Sequence, residues 1–280
     1  MKRAIVVGGG IAGLSAAYYL QQKAAAAGQA LEIALLEAGS SWGGKIATFR
    51  QDGFVVEGGP DTFLASKPWG VGLCRELGLE PRLHSTNPHH KSTYVLHQGR
   101  LLPLPDGMTM MVPTQFGPMI RTGLLSWPEK ARMGLDFFMP PHPLNGDESL
   151  GGFVSRRLGR AAYERLIEPL MSGIYAGDGD LLSLQSTFPH LRDLELQHGG
   201  LVKGALATRR KMARSGANAP GTRSAFLTPT TGLAEIVEAL LARLQACGVM
   251  LRSQAAVQAV ERLTGGGYRL ALAGRETDHW

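Results

Sequence analysis

Cysteine is nearly absent from this chain: among 280 residues there are two, Cys74 and Cys247. A supply that small excludes a disulfide scaffold, and no cysteine or histidine spacing suits a structural zinc site. Both thiols sit in apolar helical contexts, Gly72-Leu73-Cys74-Arg75-Glu76-Leu77 and Leu244-Gln245-Ala246-Cys247, and are expected as buried, reduced groups of a cytoplasmic protein. Also missing is an uninterrupted apolar run of roughly 18 to 20 residues, so no membrane-spanning helix is expected and only a peripheral membrane contact stays open. The formal net charge is +6. Its basic residues are not interleaved with aromatics, and nucleic acid is not an expected partner. No nucleophile-base triad, metal cluster, internal repeat or long low-complexity tract is visible.

What the chain has is glycine, 37 residues of it, within a composition that is 44% hydrophobic and large enough for one big or two moderate domains. The glycines are not scattered. Ile5-Val6-Val7 runs into Gly8-Gly9-Gly10-Ile11-Ala12-Gly13; an alanine-rich stretch to Ala27 follows, then Ile33-Ala34-Leu35-Leu36-Glu37 and the doublet Gly43-Gly44. A strand, a glycine fingerprint opening a helix, and a second strand ending in an acid form the Rossmann dinucleotide-binding pattern. Gly8 permits the tight turn, Gly10 lets a pyrophosphate approach the backbone, and Gly13 lets helix pack on strand. Phosphates would sit on free N–H groups at the positive end of the helix dipole. Glu37 can accept from ribose hydroxyls and would repel a 2′-phosphate, which favours FAD or NAD over NADP. Lys2-Arg3 before the apolar run Ala4 to Leu20 also suits a secretory signal, but three consecutive glycines break its centre, and the segment is read as mature structure.

Further along, Phe54 to Glu57 reads as a strand entering the turn Gly58-Gly59-Pro60-Asp61-Thr62, and Gly70 to Leu79 as a helix. Thr93 to Leu104 reads as two strands about Gln98-Gly99. Pro103 to Pro118, with Met108, Met110 and Met111, is a lid, a membrane-facing loop or a plain loop packed on the core. Ser126-Trp127-Pro128-Glu129 has capping-box spacing, with Lys130 to Met139 as the helix body. Glu148 to Leu158 and Arg160 to Met171 are further helices. Lys203, Arg209, Arg210, Lys211 and Arg214 form a basic run that is either a solvated helix face or a contact with anionic lipid or carboxylates. Residues 215 to 221 read as an exposed connection. A helix from Leu233 to Ala246 and strands at Val249 to Arg252, Ala255 to Arg262 and Tyr268 to Leu272 complete the pattern.

The segment Glu37-Ala38-Gly39-Ser40-Ser41-Trp42-Gly43-Gly44-Lys45 resembles the loop after the second strand in flavoproteins of the amine oxidase and protoporphyrinogen oxidase group, which points to FAD rather than nicotinamide. Ile167-Glu168-Pro169-Leu170-Met171-Ser172-Gly173-Ile174-Tyr175-Ala176-Gly177-Asp178 resembles a helix end and turn of the oxygen-dependent protoporphyrinogen and coproporphyrinogen oxidases of haem biosynthesis. From the residues alone it is a helix ending at a glycine-rich turn. Gly59 to Leu64, Leu184 to Pro189 and Gly232-Leu233 extend the likeness over nearly the whole chain.

The resemblance implies an α/β fold. A Rossmann-like FAD-binding domain takes residues 1–65 and 226–280, a small β-containing substrate domain has parts at 66–100 and 215–225, and a largely helical insertion over 101–214 lines the substrate cavity and faces the membrane. It implies oxidation of a porphyrinogen, coproporphyrinogen III or protoporphyrinogen IX, with O2 as acceptor and H2O2 as product. For the cofactor it implies Gly8, Gly9, Gly10, Ile11, Ala12 and Gly13 at the pyrophosphate and Glu37 at the ribose with Ala38 beside it. Gly44 and Lys45 would run along the cofactor, Gly59, Pro60, Asp61 and Thr62 would approach the flavin, and Val257 would meet the adenine through its backbone. His97, with Arg100 on the same hairpin, and Tyr175 are the substrate candidates. Their alternatives are an exposed polar hairpin and an ordinary helix end. Family members are longer and close the flavin pocket with a further glycine-rich segment, so a truncated chain is expected. Other readings are a different flavin amine oxidase or carotenoid desaturase, sharing residues 4 to 62, and a non-catalytic fragment.

Overall fold

The computed structural model describes residues 2–87, 93–109, 112–113, 115–142, 146–214, 226–274 and 278–279. They divide into two compact units, residues 1–86 with 223–280, and residues 87–222. Residues 66–86, which the sequence groups with 87–100 in a substrate domain, belong to the first unit.

In the first unit, β1 (Lys2–Val7) and β2 (Leu31–Leu36) become continuously apolar after Lys2-Arg3 and Glu32, the pattern of strands in a parallel sheet. They pair in parallel with Ile5 opposite Ala34 and Val7 opposite Leu36, and the strand Met250–Arg252 joins the other edge of β2, also in parallel. A parallel pair needs a crossover. α1 (Ile11–Ala26) supplies it, burying Leu14, Ala17 and Tyr18. Helix Ala234–Ala246 packs in the same core through Ile236, Val237, Leu240 and Leu244, where the adjacent pair Ile236-Val237 is followed at steps of three and four along one face. Leu240 is fully buried, which stabilises the core by about 1.5–3 kcal/mol.

β3 (Thr48–Gln51) and β4 (Phe54–Glu57) form a hairpin. Only β4 is anticipated by the sequence argument; the signal for β3 is Asp52-Gly53, whose φ values of 51° and 81° suit a tight two-residue turn. The strand Phe226–Pro229 pairs antiparallel with both β5 (Phe63–Leu64) and a later strand, β6 (Leu83–Ser85). α2 (Pro68–Glu76) starts two residues before the expected Gly70 because Pro68 suits the first turn, and it stops short of Leu79 ahead of Gly78, φ 78°. Cys74 on α2 is buried as expected. Cys247 is exposed, which corrects the sequence expectation: the helix ends at Ala246, and Cys247, with φ −89° and ψ 5°, turns away from the buried stripe that ends at Leu244.

The second unit is mostly helical. Tyr94–His97 and Arg100–Pro103 pair across Gln98 and Gly99, both at positive φ, as the sequence predicts. Helix Trp127–Gly134 is entered through Ser126, whose N–H donates to Glu129 at 2.8 Å. It stops short of the expected Met139 because Leu135–Phe137 tightens into a 3₁₀ turn that carries Asp136 into the core. There the fully buried Arg157 donates to Asp136 at 2.5 Å and to the carbonyl of Gly199 at 2.9 Å, with Glu195 at 3.4 Å. Asp136 also accepts from Val202 N at 2.8 Å, so one buried ion pair ties four elements together.

Helix Leu150–Leu158 begins at the Ser149 cap, which accepts from Gly152 N at 3.0 Å, and not at Glu148. After Gly159, at φ 94°, a helix runs from Arg160 through a π turn at Tyr163–Ile167 and on to Tyr175, beyond the expected Met171. Its left-handed cap is Ala176, φ 48°, while Gly173 lies inside the helix. Phe153, Val154, Leu166, Ile167 and Leu191 form the middle of the core. The basic run lies on helix Leu201–Arg214. Met110, Met111 and residues 215–221 lie outside the described residues. Among the described residues no helix is long and apolar enough to cross a membrane.

Candidate functional site

The first unit assembles its candidate site at the carboxyl ends of β1 and β2, where a doubly wound sheet places ligands. Gly8, φ 103°, leaves β1 and donates to Leu36 O at 2.7 Å, which fixes the turn to the end of β2. Gly10 caps α1 without a side-chain hydrogen bond, and the first intrahelical bond is Leu14 N to Gly10 O at 3.0 Å. The N–H groups of Ile11, Ala12 and Gly13 therefore have no intrahelical partner. No acidic side chain stands in this first turn. A Cβ on Gly13 would lie 1.9 Å from Gly8 O, so only glycine lets α1 sit this close to the loop.

Glu37 does more here than its position at the strand end suggests. Its carboxylate accepts from Gly9 N and from Gly39 N, each at 2.6 Å, and so joins the glycine loop to the loop after β2. These two bonds, with Gly39 the larger influence, hold the Glu37 carboxyl below the usual carboxylate range, so it is ionised at neutral pH. Each carboxylate oxygen keeps a lone pair free for a ribose hydroxyl.

The Gly43-Gly44 doublet docks on the glycine loop. Gly43 N donates to Gly9 O at 2.9 Å and bridges to Gly10; a Cβ on Gly44 would approach Gly10 Cα to 3.1 Å. Trp42, which sequence reasoning did not single out, lies against Gly9: a Cβ there would fall 2.4 Å from the indole ring. Its only signal is a large apolar ring beside a glycine doublet. Ala38 and Lys45 are exposed. The Lys45 carbonyl lies 1.9 Å from where a Cβ on Gly59 would be, so this close crossing requires glycine at 59. Pro60 and Asp61 are exposed beyond it, and Thr62 Oγ1 donates to Asp61 Oδ1 at 3.0 Å.

Glu57, also missed by sequence, closes the N-terminus of helix Ala234–Ala246. It accepts from Leu233 N at 2.7 Å and from Thr48 Oγ1 at 2.5 Å, and Thr48 accepts from Ala234 N at 3.0 Å. That helix start is neutralised by the protein's own carboxylate. The start of α1 is left for an external anion. Val257 is reached through Ala255 N, which donates to Glu37 O at 2.8 Å, and it packs on Leu36, Ala255, Leu270 and Leu272.

These residues of the first unit fit FAD: a glycine-lined approach, three free N–H groups for a pyrophosphate and an ionised acid for a ribose. The substrate candidates lie in the second unit. His97 is half-buried opposite Arg100 on its hairpin, while Tyr175 is exposed at a helix end with its ring edge-on to Phe188 at 5.4 Å. Among the described residues no hydrogen bond joins them.

A parallel βαβ unit with a glycine-loop helix and an acid ending its second strand defines a dinucleotide-binding fold. More closely, this chain belongs to the family of flavin-containing amine oxidoreductases, whose profile matches residues 11–279, and FAD is the cofactor that membership implies. It is 42% identical over 237 residues to the coproporphyrinogen III oxidase of Bacillus subtilis, covering 85% of this chain and 50% of that protein. The coproporphyrinogen III oxidase of Staphylococcus aureus is 36% identical, covering 91% of this chain and 54% of the relative. The chloroplastic protoporphyrinogen oxidase 1 of Spinacia oleracea is 35% identical over 73% of this chain and 34% of its own length. A crystal structure from Exiguobacterium sp. 255-15, assigned provisionally as a protoporphyrinogen oxidase, superposes with a TM-score of 0.80 at 36% identity, over 99% of this chain and 57% of that one. Putrescine oxidase, at 17% identity and a TM-score of 0.60, shares the fold. The chain spans about half the length of the curated relatives it matches.

Proposed function

We propose that this chain carries the FAD-binding loops of a haem-biosynthetic porphyrinogen oxidase, which converts coproporphyrinogen III or protoporphyrinogen IX to the porphyrin. The substrate loses six electrons and six protons to three molecules of O2, giving three of H2O2. FAD, when bound, supplies the hydride acceptor and the reaction with O2. The protein's part is to bind and orient. The free N–H groups of Ile11, Ala12 and Gly13 receive the pyrophosphate over Gly8, Gly9 and Gly10, and Glu37 accepts from the ribose with Ala38 beside it. Gly44 and Lys45 flank the cofactor, Gly59, Pro60, Asp61 and Thr62 face the flavin end, and the backbone of Val257 faces the adenine. His97 and Tyr175 are substrate contacts.

The observation that carries this reading is the Glu37 carboxylate holding Gly9 and Gly39 beneath an uncapped α1, within a chain 42% identical to a coproporphyrinogen III oxidase. We further propose that it works in the cytoplasm, with both cysteines as free thiols, and touches an anionic bilayer peripherally. Support comes from Trp127 and Phe138, 69% and 79% exposed, and from Lys130 and Lys203, each stacked on an aromatic ring.

The test is to load purified protein with FAD, remove oxygen, and add each porphyrinogen. Bleaching of the flavin bands and their return with air are expected. Failure to take up FAD overturns the cofactor assignment. Bleaching by an amine or a carotene but by neither porphyrinogen overturns the substrate.

A further inference from the structure

Gly9, the middle glycine of the loop, is glycine for a different reason from its neighbours. Gly8 takes a positive φ, and Gly13 must pass the carbonyl of Gly8. Gly9 has no positive φ, and no backbone atom is among the three heavy atoms nearest to where its Cβ would be. Those three are side-chain carbons: Cε3 and Cζ3 of Trp42, the latter at 2.8 Å, and Cβ of Glu37 at 2.9 Å. The indole ring is therefore what keeps a side chain out of position 9.

The Gly9 residue is held on three sides by the loop that follows β2. Its N–H donates to Glu37 Oε2 at 2.6 Å, its carbonyl accepts from Gly43 N at 2.9 Å, and Trp42 covers the α-carbon between them. That loop has a footing of its own. Glu37 N donates to Arg252 O at 2.8 Å, Ala255 N donates to Glu37 O at 2.8 Å, and Gln254 N donates to Gly39 O at 2.9 Å. Trp42 is half-buried and packs on the core that α1 shares with helix Ala234–Ala246. With its N–H already on Glu37, Gly9 has no donor left for a phosphate, and the free donors of α1 lie beyond it.

We propose that Trp42 is a positioning residue for the dinucleotide, acting through Gly9 and Glu37, an inference that rests on the cofactor placement above. The ring presses Gly9 onto the carboxylate, so the acid that meets a ribose and the helix start that meets a pyrophosphate are set in one register. A binding constellation needs such support to hold its geometry to about 0.5 Å. An indole is broad enough to cover Gly9 and the Glu37 Cβ together. Without it the Gly9 peptide can rotate and its N–H can leave Glu37.

The experiment is a double-mutant cycle read by FAD titration, with thermal melting alongside. Trp42→Leu should weaken FAD about tenfold, the worth of one charge-assisted hydrogen bond, and Gly9→Ala should do the same by displacing the ring. Trp42→Phe keeps a flat ring and should bind within about threefold of the parent. In the double variant the alanine methyl occupies space the indole has vacated, so affinity should again be about tenfold down, whereas independent losses multiply to about a hundredfold. ADP supplies the ribose and pyrophosphate without a flavin to drain the excitation. It should shift the tryptophan emission of the parent, and the shift should vanish in Trp42→Phe but persist in Trp69→Phe, whose indole is 82% exposed on α2. A tryptophan that merely anchors the core produces neither the non-additivity nor the ADP response. Parental FAD affinity in Trp42→Leu, multiplying losses in the double variant, or an ADP shift that survives Trp42→Phe overturns the role of Trp42 and leaves the cofactor reading standing. If the parent takes up neither FAD nor ADP, both fall.

Discussion

Replacing Gly13 with alanine puts the fingerprint to a quantitative test. The added Cβ would lie 1.9 Å from Gly8 O, where even a C–H···O contact needs about 3.3 Å, so α1 must withdraw by about 1.4 Å. The obstructing atom is backbone, and that backbone is held by Gly8 N donating to Leu36 O at 2.7 Å. Overpacking of this kind costs about 2 kcal/mol, which for a chain of this size lowers the melting midpoint by about 4–8 °C. The withdrawal also carries the N–H groups of Ile11 and Ala12 away from the proposed pyrophosphate position. Loss of two charge-assisted hydrogen bonds at about 1.5 kcal/mol each weakens FAD about a hundredfold. Gly72 is the control. It lies inside α2 with no heavy atom within 4 Å of a Cβ, so Gly72→Ala should stabilise by about 0.5–1 kcal/mol and leave FAD binding unchanged. Thermal melting and a flavin-fluorescence titration read both quantities. The reasoning fails if Gly13→Ala melts and binds FAD like the parent, or if the two alanines move stability in the same direction.

Glu37→Gln leaves one of the N–H groups of Gly9 and Gly39 without an acceptor, and FAD affinity should fall about tenfold; an unchanged titration refutes the bridging role. Glu235 accepts from Arg82 and from Thr231, and the Arg82 hydrogen bond above all lowers its carboxyl from 4.5 to about 2. Because the folded value is depressed, its stabilisation is complete above about pH 4.5 and is lost as the pH falls through about 2, so Glu235→Gln should flatten the acid limb of the melting profile in that window. A limb as steep as the parent's counts against it. Arg157→Met leaves Asp136 buried and without its ion-pair partner, at a cost of about 3–5 kcal/mol. Urea unfolding of the second unit should report it, and a loss of unfolding free energy below about 1 kcal/mol refutes the account.

The glycine loop could be read directly because its demands are local. A tight turn, a close helix and an acid at a strand end leave their marks within 45 residues of sequence, and the parallel β1–β2 pair follows from two apolar runs. The Gln98-Gly99 hairpin and the Ser126 helix start were legible for the same reason. Where the sequence argument fell short, a distant partner had intervened. The helix expected to reach Met139 stops at Gly134 because Asp136 turns inward to Arg157. β3 was missed because four mixed residues carry little pattern, although Asp52-Gly53 announced the turn. Trp42 and Glu57 were not singled out, since their partners, Gly9 and Leu233, lie far from them in sequence.

By itself, the sequence determined that a glycine loop opens a helix after the first strand and that an acid ends the second, and its neighbouring glycines resemble those of FAD proteins. Those statements depend on residue type at short spacing. Only the tertiary structure decided that Glu37 clamps Gly9 together with Gly39, and that Glu57 closes one helix start while α1 is left open. Each depends on which groups remain unpaired once the chain has folded. Pairing between residues far apart in sequence is set by three-dimensional packing, which spacing along the chain does not encode.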